Sequence, residues 1–164
     1  MTTRIPHTNF GVVPAATAIS TDGLNFLRNM ISQAYPSPPF ADTTDIWIVS
    51  AEHGRVTFEA NPRQRFLNPL GTIHGGWIST ILDSAMGCAV HSVLKSGQGF
   101  TTVNMAVSFV RPVLATSGRL TCEGKIVHSG GRIATAEGRV MDEAGKLIAH
   151  GTETCLILKS PASE

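Results

Sequence analysis

A short polar segment precedes the most apolar stretch of the chain, and one carboxylate lies within that stretch. The segment is His74-Gly75-Gly76, and the carboxylate is Asp83, eight residues after Gly75. At the start of a helix the first backbone N–H groups have no intrahelical acceptor and carry partial positive charge. Glycine lets the carbonyl of a ligand approach such N–H groups closely. These features predict an oxyanion site for an acyl group, together with a carboxylate able to act as a base.

The residues that follow Gly76 predict a buried helix that carries both groups. Apolar residues recur three or four positions apart, and the opposite side is also mostly small or apolar. The recurring residues are Ile78, Ile81, Leu82, Ala85, Met86, Ala89, Val93 and Leu94. A helix that is apolar on nearly all sides belongs in the core. Asp83 is its one full charge, and a carboxylate in apolar surroundings needs a partner. A structural aspartate and a functional one both fit this pattern.

The spacing along this helix separates Gly75 from Asp83. At about 1.5 Å of rise per residue, eight residues span roughly 12 Å, so the two groups cannot reach one acyl carbon from the same chain. Two such helices, antiparallel across a two-fold axis, would place Gly75 of one chain beside Asp83 of the other. If the two groups act together, the sequence therefore predicts a homodimer with two identical sites.

Composition and motifs exclude several classes of function. The formal charge is +1 and 15% of the 164 residues are charged, with no basic patch, so we expect no nucleic acid partner. The apolar stretch contains too many polar residues for a membrane span. No signal peptide is evident, and Cys88, Cys122 and Cys155 are widely spaced, which predicts free thiols in a reducing cytoplasm. The six histidines form no metal motif, and no P-loop, G-x-G-x-x-G or G-x-S-x-G occurs, so we expect neither a metal nor a cofactor.

The rest of the chain predicts an α+β fold in two parts. Residues 1–41 form an extended arm up to Ser20, a short helix capped at Asp22 and ending near Tyr35, and a Pro-rich loop. Residues 42–160 form one domain of antiparallel strands around the central helix, followed by a polar tail. The predicted strands are Asp45 to Ala51, Arg55 to Ala60, Phe100 to Val110, Arg119 to His128, Arg132 to Met141 and Lys146 to Leu158.

The strand predicted over Phe100 to Val110 has two chemically different faces. One face carries Val103, Met105, Val107 and Phe109, and the other carries Thr102, Asn104, Ala106 and Ser108. We expect the apolar face to pack on the helix. On the polar face, Thr102 could hold a water molecule or the Asp83 carboxylate, and a solvated strand face is equally consistent with the pattern.

These motifs together resemble a known family. Asn68-Pro-Leu-Gly-Thr-Ile-His74-Gly75-Gly76, with Asp83 nine residues after His74 and then Gly87, is similar to the acyl-CoA thioesterases of the hotdog fold. The closest type is that of phenylacetate degradation with its mammalian mitochondrial relatives, and the likeness runs from Ile46 to Leu158. It implies a long helix wrapped by a curved antiparallel sheet of five or six strands. It also implies protomers joined edge to edge, with dimers that pair again into tetramers.

The resemblance also implies roles for individual residues. Asp83 would be the general base or the nucleophile in hydrolysis of an acyl-CoA, and the N–H of Gly75 would polarise the thioester carbonyl. Asn68 and His74 would position the carbonyl and water, and Thr102 would hold a water molecule. Coenzyme A is part of the substrate, and Arg132 is the expected phosphate contact. The residues expected along the substrate are Gly76, Asn104, Arg111, Pro112, Gly131, Arg132 and Ile133.

Two other functions remain open at this point. A silent acyl-CoA sensor of this fold would be expected to carry a DNA-binding module, and residues 1–41 contain only Arg4 and Arg28 as basic residues. A hydratase or dehydratase would place a catalytic histidine differently from His91. Hydrolysis is therefore the preferred function. The acyl group is not specified, although Trp77, Phe40 and Tyr35 are candidates for an aromatic pocket.

Overall fold

The computed structural model describes residues 7–159 of the chain. Along these residues lie α1 (Ala15–Ser20), α2 (Gly23–Ile31), α3 (Pro39–Thr44), β1 (Ile46–Glu52), β2 (Arg55–Ala60), a 3₁₀ helix (Gln64–Phe66), α4 (Gly75–His91), β3 (Gln98–Phe109), β4 (Leu120–Ser129), β5 (Ile133–Met141) and β6 (Leu147–Lys159). Residues 1–6 of the predicted arm, residue 160, and the predicted polar tail after it lie outside the described residues.

The six strands form one antiparallel sheet with the order β1-β2-β4-β5-β6-β3. The long helix α4 packs against every strand of this sheet. This confirms the predicted α+β architecture of a central helix wrapped by a curved sheet. Strand β3 lies at one edge, where it pairs with β6 alone among the described strands. Its position leaves one side of a twelve-residue strand open.

A row of glycines in the sheet lets α4 approach the strands closely. Gly124, Gly138 and Gly151 are paired in register on β4, β5 and β6. A Cβ atom on Gly124 would lie 2.1 Å from the carbonyl oxygen of Ala85 on α4. No side chain fits in that space, so glycine is required there for close contact between helix and sheet. The sequence interpretation did not identify this row.

The core lies between α4 and the sheet. Fully buried side chains on α4 include Ile81, Leu82 and Met86, which pack with Val56, Leu120 and Val140 of the strands. Each such side chain contributes roughly 1.5–3 kcal/mol when it is removed from water. The predicted burial of this helix is confirmed, except at Asp83.

The N-terminal part contains more helix than the sequence indicated. Ala15–Ser20, predicted as part of an extended arm, is the short helix α1, and the second half of the predicted Pro-rich loop, from Pro39, belongs to α3. Pro39 lies in the first turn of α3, where its missing N–H removes no hydrogen bond. Helix α2 begins as predicted, since Asp22 caps it by accepting from the N–H of Asn25 at 3.1 Å. It ends at Ile31, earlier than the predicted end near Tyr35.

A bulge in β3 changes which side chains face α4. The pairing with β6 shifts register between Thr102 and Asn104, so Val103 is turned outward and 63% of it is exposed. The prediction that Val103 packs on the helix is therefore wrong. Because the alternation restarts after the bulge, Thr102 lies on the same side as Met105 and Val107, which do pack against the core.

Candidate active site

The amino end of α4 is held by a histidine cap. His74 is the N-cap residue, and its Nδ1 accepts a hydrogen bond from the N–H of Gly76 at 2.9 Å. Since Nδ1 is an acceptor, a neutral His74 ring carries its proton on Nε2. The cap engages the Gly76 N–H. The N–H of Gly75 donates to no acceptor among residues 7–159 and is the free donor of this first turn.

Asn68 fixes the loop that leads into this helix. Its Oδ1 accepts from the N–H of Leu70 at 2.9 Å, and its Nδ2 donates to Thr72 Oγ1 at 2.8 Å. The backbone of Asn68 also bonds to Thr72 and Gly71. Within one chain, the amide of Asn68 therefore holds the loop in shape. We call residues Asn68 to Gly76 the amide end.

A shallow groove runs from the amide end toward the end of β3. Its volume is about 290 Å³, and Gly75, Phe109, Arg111 and Pro112 are among the residues that line it. Arg111 Nη1 donates to the carbonyl of Leu147 at 2.8 Å, which fixes its guanidinium on the sheet. The structure thus brings Arg111 and Pro112 of the predicted substrate-binding set to the Gly75 N–H.

Asp83 lies at a second place on α4, and its surroundings differ from those expected. The side chain is exposed in the single chain, because α4 faces the open edge strand β3 at this point. Thr102 Oγ1 lies 3.4 Å from Asp83 Oδ1, which is long for a hydroxyl hydrogen bond. Among the described residues Asp83 forms no ion pair. The expectation of a buried carboxylate is wrong for one chain alone.

The same cluster contains a carboxyl group that the sequence interpretation missed. Glu153, on β6, is 1% exposed, and its Oε1 lies 2.7 Å from Thr102 Oγ1 and 3.1 Å from Cys155 Sγ. Its signal was the period-two alternation of β6, because Gly151, Glu153 and Cys155 fall on one inward face. We call Asp83, Thr102, Glu153 and Cys155 the acid end.

The β4–β5 hairpin lies near the acid end by register. Ile133 pairs with Leu156, and the adjacent Cys155 pairs with Thr102. Gly131 and Arg132 are exposed at the turn, and the Arg132 carbonyl accepts from the N–H of Ile157 at 2.8 Å. Asn104 is exposed just after the β3 bulge. The predicted substrate-binding residues are therefore divided between the two ends.

A separate apolar cavity of about 130 Å³ lies between the N-terminal helices, β1 and α4. Its lining includes Phe40, Phe58 and, from α4, Ser84 and Cys88. At its polar margin, His7 Nδ1 lies 2.6 Å from Ser37 Oγ, and burial lowers the pKa of His7.

Of the aromatic residues proposed for a pocket, only Phe40 lines this cavity. Trp77 instead stacks on Phe66, with ring centroids 5.1 Å apart. Tyr35 packs edge-on against Phe26, at 5.5 Å.

Residues 7–159 contain neither a cluster of metal-ligating side chains nor a helix able to span a membrane. No group of three or more His, Cys, Asp or Glu side chains is arranged to hold a metal ion there. The helices of this part of the chain are too short or too polar for any of them to cross a bilayer. All three cysteines are free thiols.

Comparison with known proteins places this geometry among thioesterases. Residues 70–149 match the family model described as the thioesterase superfamily. Acyl-coenzyme A thioesterase 13 of Mus musculus is 26% identical over 130 residues, which cover 78% of this chain and 91% of that protein.

Solved structures agree with this result. A phenylacetic acid degradation-related protein of Ralstonia eutropha JMP134 is 28% identical, with a TM-score of 0.73 over 80% of this chain and 99% of that one. The PaaI protein of the E. coli phenylacetic acid degradation operon shares the fold at 20% identity and a TM-score of 0.73, over 84% of this chain and 96% of its own.

Proposed function

Because residues 70–149 match the thioesterase superfamily model and the chain has the hotdog fold, we propose that this thioester hydrolase cleaves an acyl-CoA to the free acid and coenzyme A. The observation that carries the proposal is the presence, on the same helix, of one free N–H, at Gly75, and one exposed carboxylate, at Asp83. An oxyanion donor and a base are the two groups that acyl transfer to water requires.

The two groups act together in a homodimer. Eight residues of α4 separate them by roughly 12 Å, so each site takes Asp83 from one chain and Gly75 of the partner subunit. The open edge of β3 supports this arrangement, since unpaired edge strands are templates for pairing with another chain. Large apolar side chains are also exposed along the strand and at its end, by 63% at Val103, 54% at Phe109 and 48% at Val110.

The register of such a pair follows from β3 itself. A two-fold axis near Met105 and Ala106 would place Thr102 opposite Phe109 of the partner subunit. Thr102 lies beside Asp83, and the Phe109 ring lies against Gly75, where a Cβ atom would meet it at 3.2 Å. Antiparallel pairing of the two β3 strands therefore carries each acid end to the other chain's amide end. Further pairing of dimers into a tetramer is part of this proposal.

In the simplest mechanism Asp83 is the general base. Its carboxylate takes a proton from water while the water oxygen attacks the thioester carbon. The Gly75 N–H of the partner subunit stabilises the oxyanion of the tetrahedral intermediate. When this collapses, the C–S bond breaks, and the proton held by Asp83 passes to the leaving thiolate. The products are one carboxylic acid and one coenzyme A thiol.

Asp83 could also attack the carbonyl itself and form a mixed anhydride. A single turnover in H₂¹⁸O distinguishes the two roles. General base catalysis puts the label in the product acid only. Attack by Asp83, followed by hydrolysis at its own carboxyl carbon, puts the label in the peptide that contains Asp83. Mass spectrometry of that peptide and of the product gives the result.

For the acyl group we propose an aryl or short chain of about one phenyl ring. The apolar cavity reaches α4 at Ser84, the residue after Asp83, and has a volume of about 130 Å³. A cavity of about 150 Å³ is large enough to hold benzene. Acetyl-, benzoyl-, phenylacetyl-, octanoyl- and palmitoyl-CoA should be compared by kcat/KM. Phenylacetyl-CoA should be among the best substrates and palmitoyl-CoA the poorest, and the reverse order would show that the acyl chain lies elsewhere.

Substitution of Asp83 tests the activity itself. D83A and D83N should lower kcat about 10²- to 10⁴-fold, because both remove the base. E137Q makes a similar carboxylate-to-amide change at an exposed position of β5 and should keep wild-type turnover. Thioester hydrolysis that survives D83A within a few-fold would contradict the proposal, and tight acyl-CoA binding without coenzyme A release would indicate a sensor. We place the reaction in the cytoplasm, which agrees with three free thiols.

A further inference from the structure

Glu153 is a buried carboxyl group next to the proposed base. It lies in the middle of β6, between Met105 of β3 and Ala136 of β5 in the sheet. Its side chain points to α4, where a Cβ atom on Gly87 would lie 3.6 Å from Glu153 Oε1. Gly87 lies one helical turn after Asp83 on α4. A carboxyl group that is 1% exposed is costly to the fold unless it has a role or a full set of partners.

The two oxygens of Glu153 have unequal surroundings. Oε1 has two polar neighbours, Thr102 and Cys155, whereas Oε2 is buried without a hydrogen-bond partner among the described residues. An ionised carboxylate shares its charge between both oxygens, so this asymmetry favours the neutral acid. Burial raises the pKa of Glu153, the hydrogen bonds from Thr102 and Cys155 oppose that rise, and the charge of Asp83 adds to it.

The hydroxyl of Thr102 has one hydrogen and two carboxyl neighbours. Its oxygen lies 2.7 Å from Glu153 Oε1 and 3.4 Å from Asp83 Oδ1. If Glu153 is ionised, Thr102 donates to it and Asp83 receives nothing. If Glu153 holds a proton on Oε1, it donates that proton to Thr102 Oγ1, and the Thr102 hydrogen is then free for Asp83. The protonation of Glu153 therefore determines which of the two carboxyl groups accepts the hydrogen bond from Thr102.

We propose that Glu153 is a positioning residue which, as a neutral acid, donates to Thr102 so that Thr102 donates to Asp83 and fixes the orientation of the Asp83 carboxylate. This inference rests on the proposed function of Asp83 as the reacting group. Glu153 is 1% exposed in this chain, so its proposed role is indirect. It acts through Thr102, and its ionisation withdraws the hydrogen bond that orients Asp83 and adds a second negative charge beside it.

Among the described residues, the other titratable groups that face Glu153 are one carboxylate and two thiols. Helix α4 contributes Asp83 and Cys88, and β6 contributes Cys155. Strand β3 contributes the non-titrating Thr102, and β5 contributes Ala136. Burial, together with the neighbouring carboxylates, raises the thiol pKa values of Cys88 and Cys155 to about 12 each. Both thiols stay neutral at physiological pH, so neither adds a change of charge beside Glu153 there.

The pH profile of three variants tests the role in catalysis. E153Q keeps the shape and supplies an amide donor, so its kcat should stay within about threefold of wild type. Its profile should lack the fall in kcat that the wild type shows as pH rises through the Glu153 ionisation. E153L removes the donor and should lose about 10- to 100-fold in kcat with little change in KM, the range expected for one hydrogen bond to a charged group. E137Q is the matched control and should reproduce the wild-type profile.

Carboxyl ¹³C NMR measures the ionisation of Glu153 in the absence of substrate. In protein labelled at glutamate, the signal absent from E153Q belongs to Glu153. It should titrate above the ordinary range of a glutamate, because burial raises the pKa of Glu153. An ordinary titration of that signal would overturn the proposal, as would an E153L variant with the kcat and pH profile of wild type. Failure of the proposed function is seen separately, as hydrolysis that survives D83A.

Stability gives a second readout that is independent of activity. Because the folded-state pKa of Glu153 is raised above the unfolded value, its contribution to stability is full below the unfolded pKa and is lost as pH rises through the folded one. The urea midpoint of the wild type should therefore fall relative to that of E153Q as the pH is raised. Midpoints that stay parallel across this range would show that Glu153 is not held neutral, and would overturn the proposal.

Discussion

The two ends of the proposed site use different physical means on one helix. At the amide end, backbone groups and short side chains satisfy one another: His74 caps Gly76, and Asn68 bonds to Leu70 and Thr72. Among the backbone N–H groups of this described segment, that of Gly75 alone has no acceptor within residues 7–159. Its position is set by backbone geometry, which does not depend on any protonation state.

At the acid end, more of the polar atoms lack a close hydrogen-bond partner. Asp83 is exposed with one long contact to Thr102, and Glu153 has an oxygen without a partner. The geometry here depends on where single protons lie. In the proposed mechanism, the rigid amide end polarises the substrate, while the acid end, which supplies the base, is built from neighbouring polar side chains. One chain contains both halves, and in the proposed homodimer a second chain brings them together.

Removal of the Gly75 N–H should have the largest effect on the amide end. G75P deletes the donor but suits the first helical position, and His74 already has the extended backbone that precedes proline. We expect kcat to fall about 10²- to 10³-fold, as for loss of an oxyanion donor. G75A is the matched control, since it adds the same Cβ near the Phe109 ring and keeps the N–H. Equal losses in both variants would assign the effect to packing.

Mixing two inactive chains tests whether the ends meet across a dimer. When D83A and G75P chains assemble at random, half of the dimers are mixed, and each has one intact site, so about a quarter of wild-type turnover should return. The control mixes D83A with the D83A/G75P double variant, which cannot form an intact site. If D83A and G75P together stay as inactive as each alone, Gly75 and Asp83 do not belong to one shared site.

Sequence alone predicted the elements whose signals are local. The period of α4 and the glycine turns gave the central helix and the strands to within a few residues, because burial and turn chemistry act over short distances. The Pro-rich segment was misjudged because proline also starts helices, as Pro39 does in α3. The division at residue 41 stays a prediction.

The misses at the site have a common physical cause, since each depends on contacts between distant strands. The bulge at Val103 is visible only in the pairing of β3 with β6, and it moves Thr102 to the helix side. Exposure of Asp83 depends on β3 being an edge. Burial of Glu153 requires knowing which face of β6 meets α4, although alternation already placed it with Cys155.

The smallest effect expected separates the two possible roles of His74 at the amide end. If its main role is to cap α4 through Nδ1, H74A should cost about 1 kcal/mol of unfolding free energy and a few-fold in kcat. H74N restores an acceptor at the N-cap and should recover both, because asparagine is a strong capping residue. Urea unfolding and steady-state hydrolysis of the same samples provide the comparison. An H74N variant with recovered stability and a lasting loss in kcat would show that the imidazole itself contacts the substrate or water, and that the amide end contributes a side chain to the chemistry as well as the Gly75 N–H.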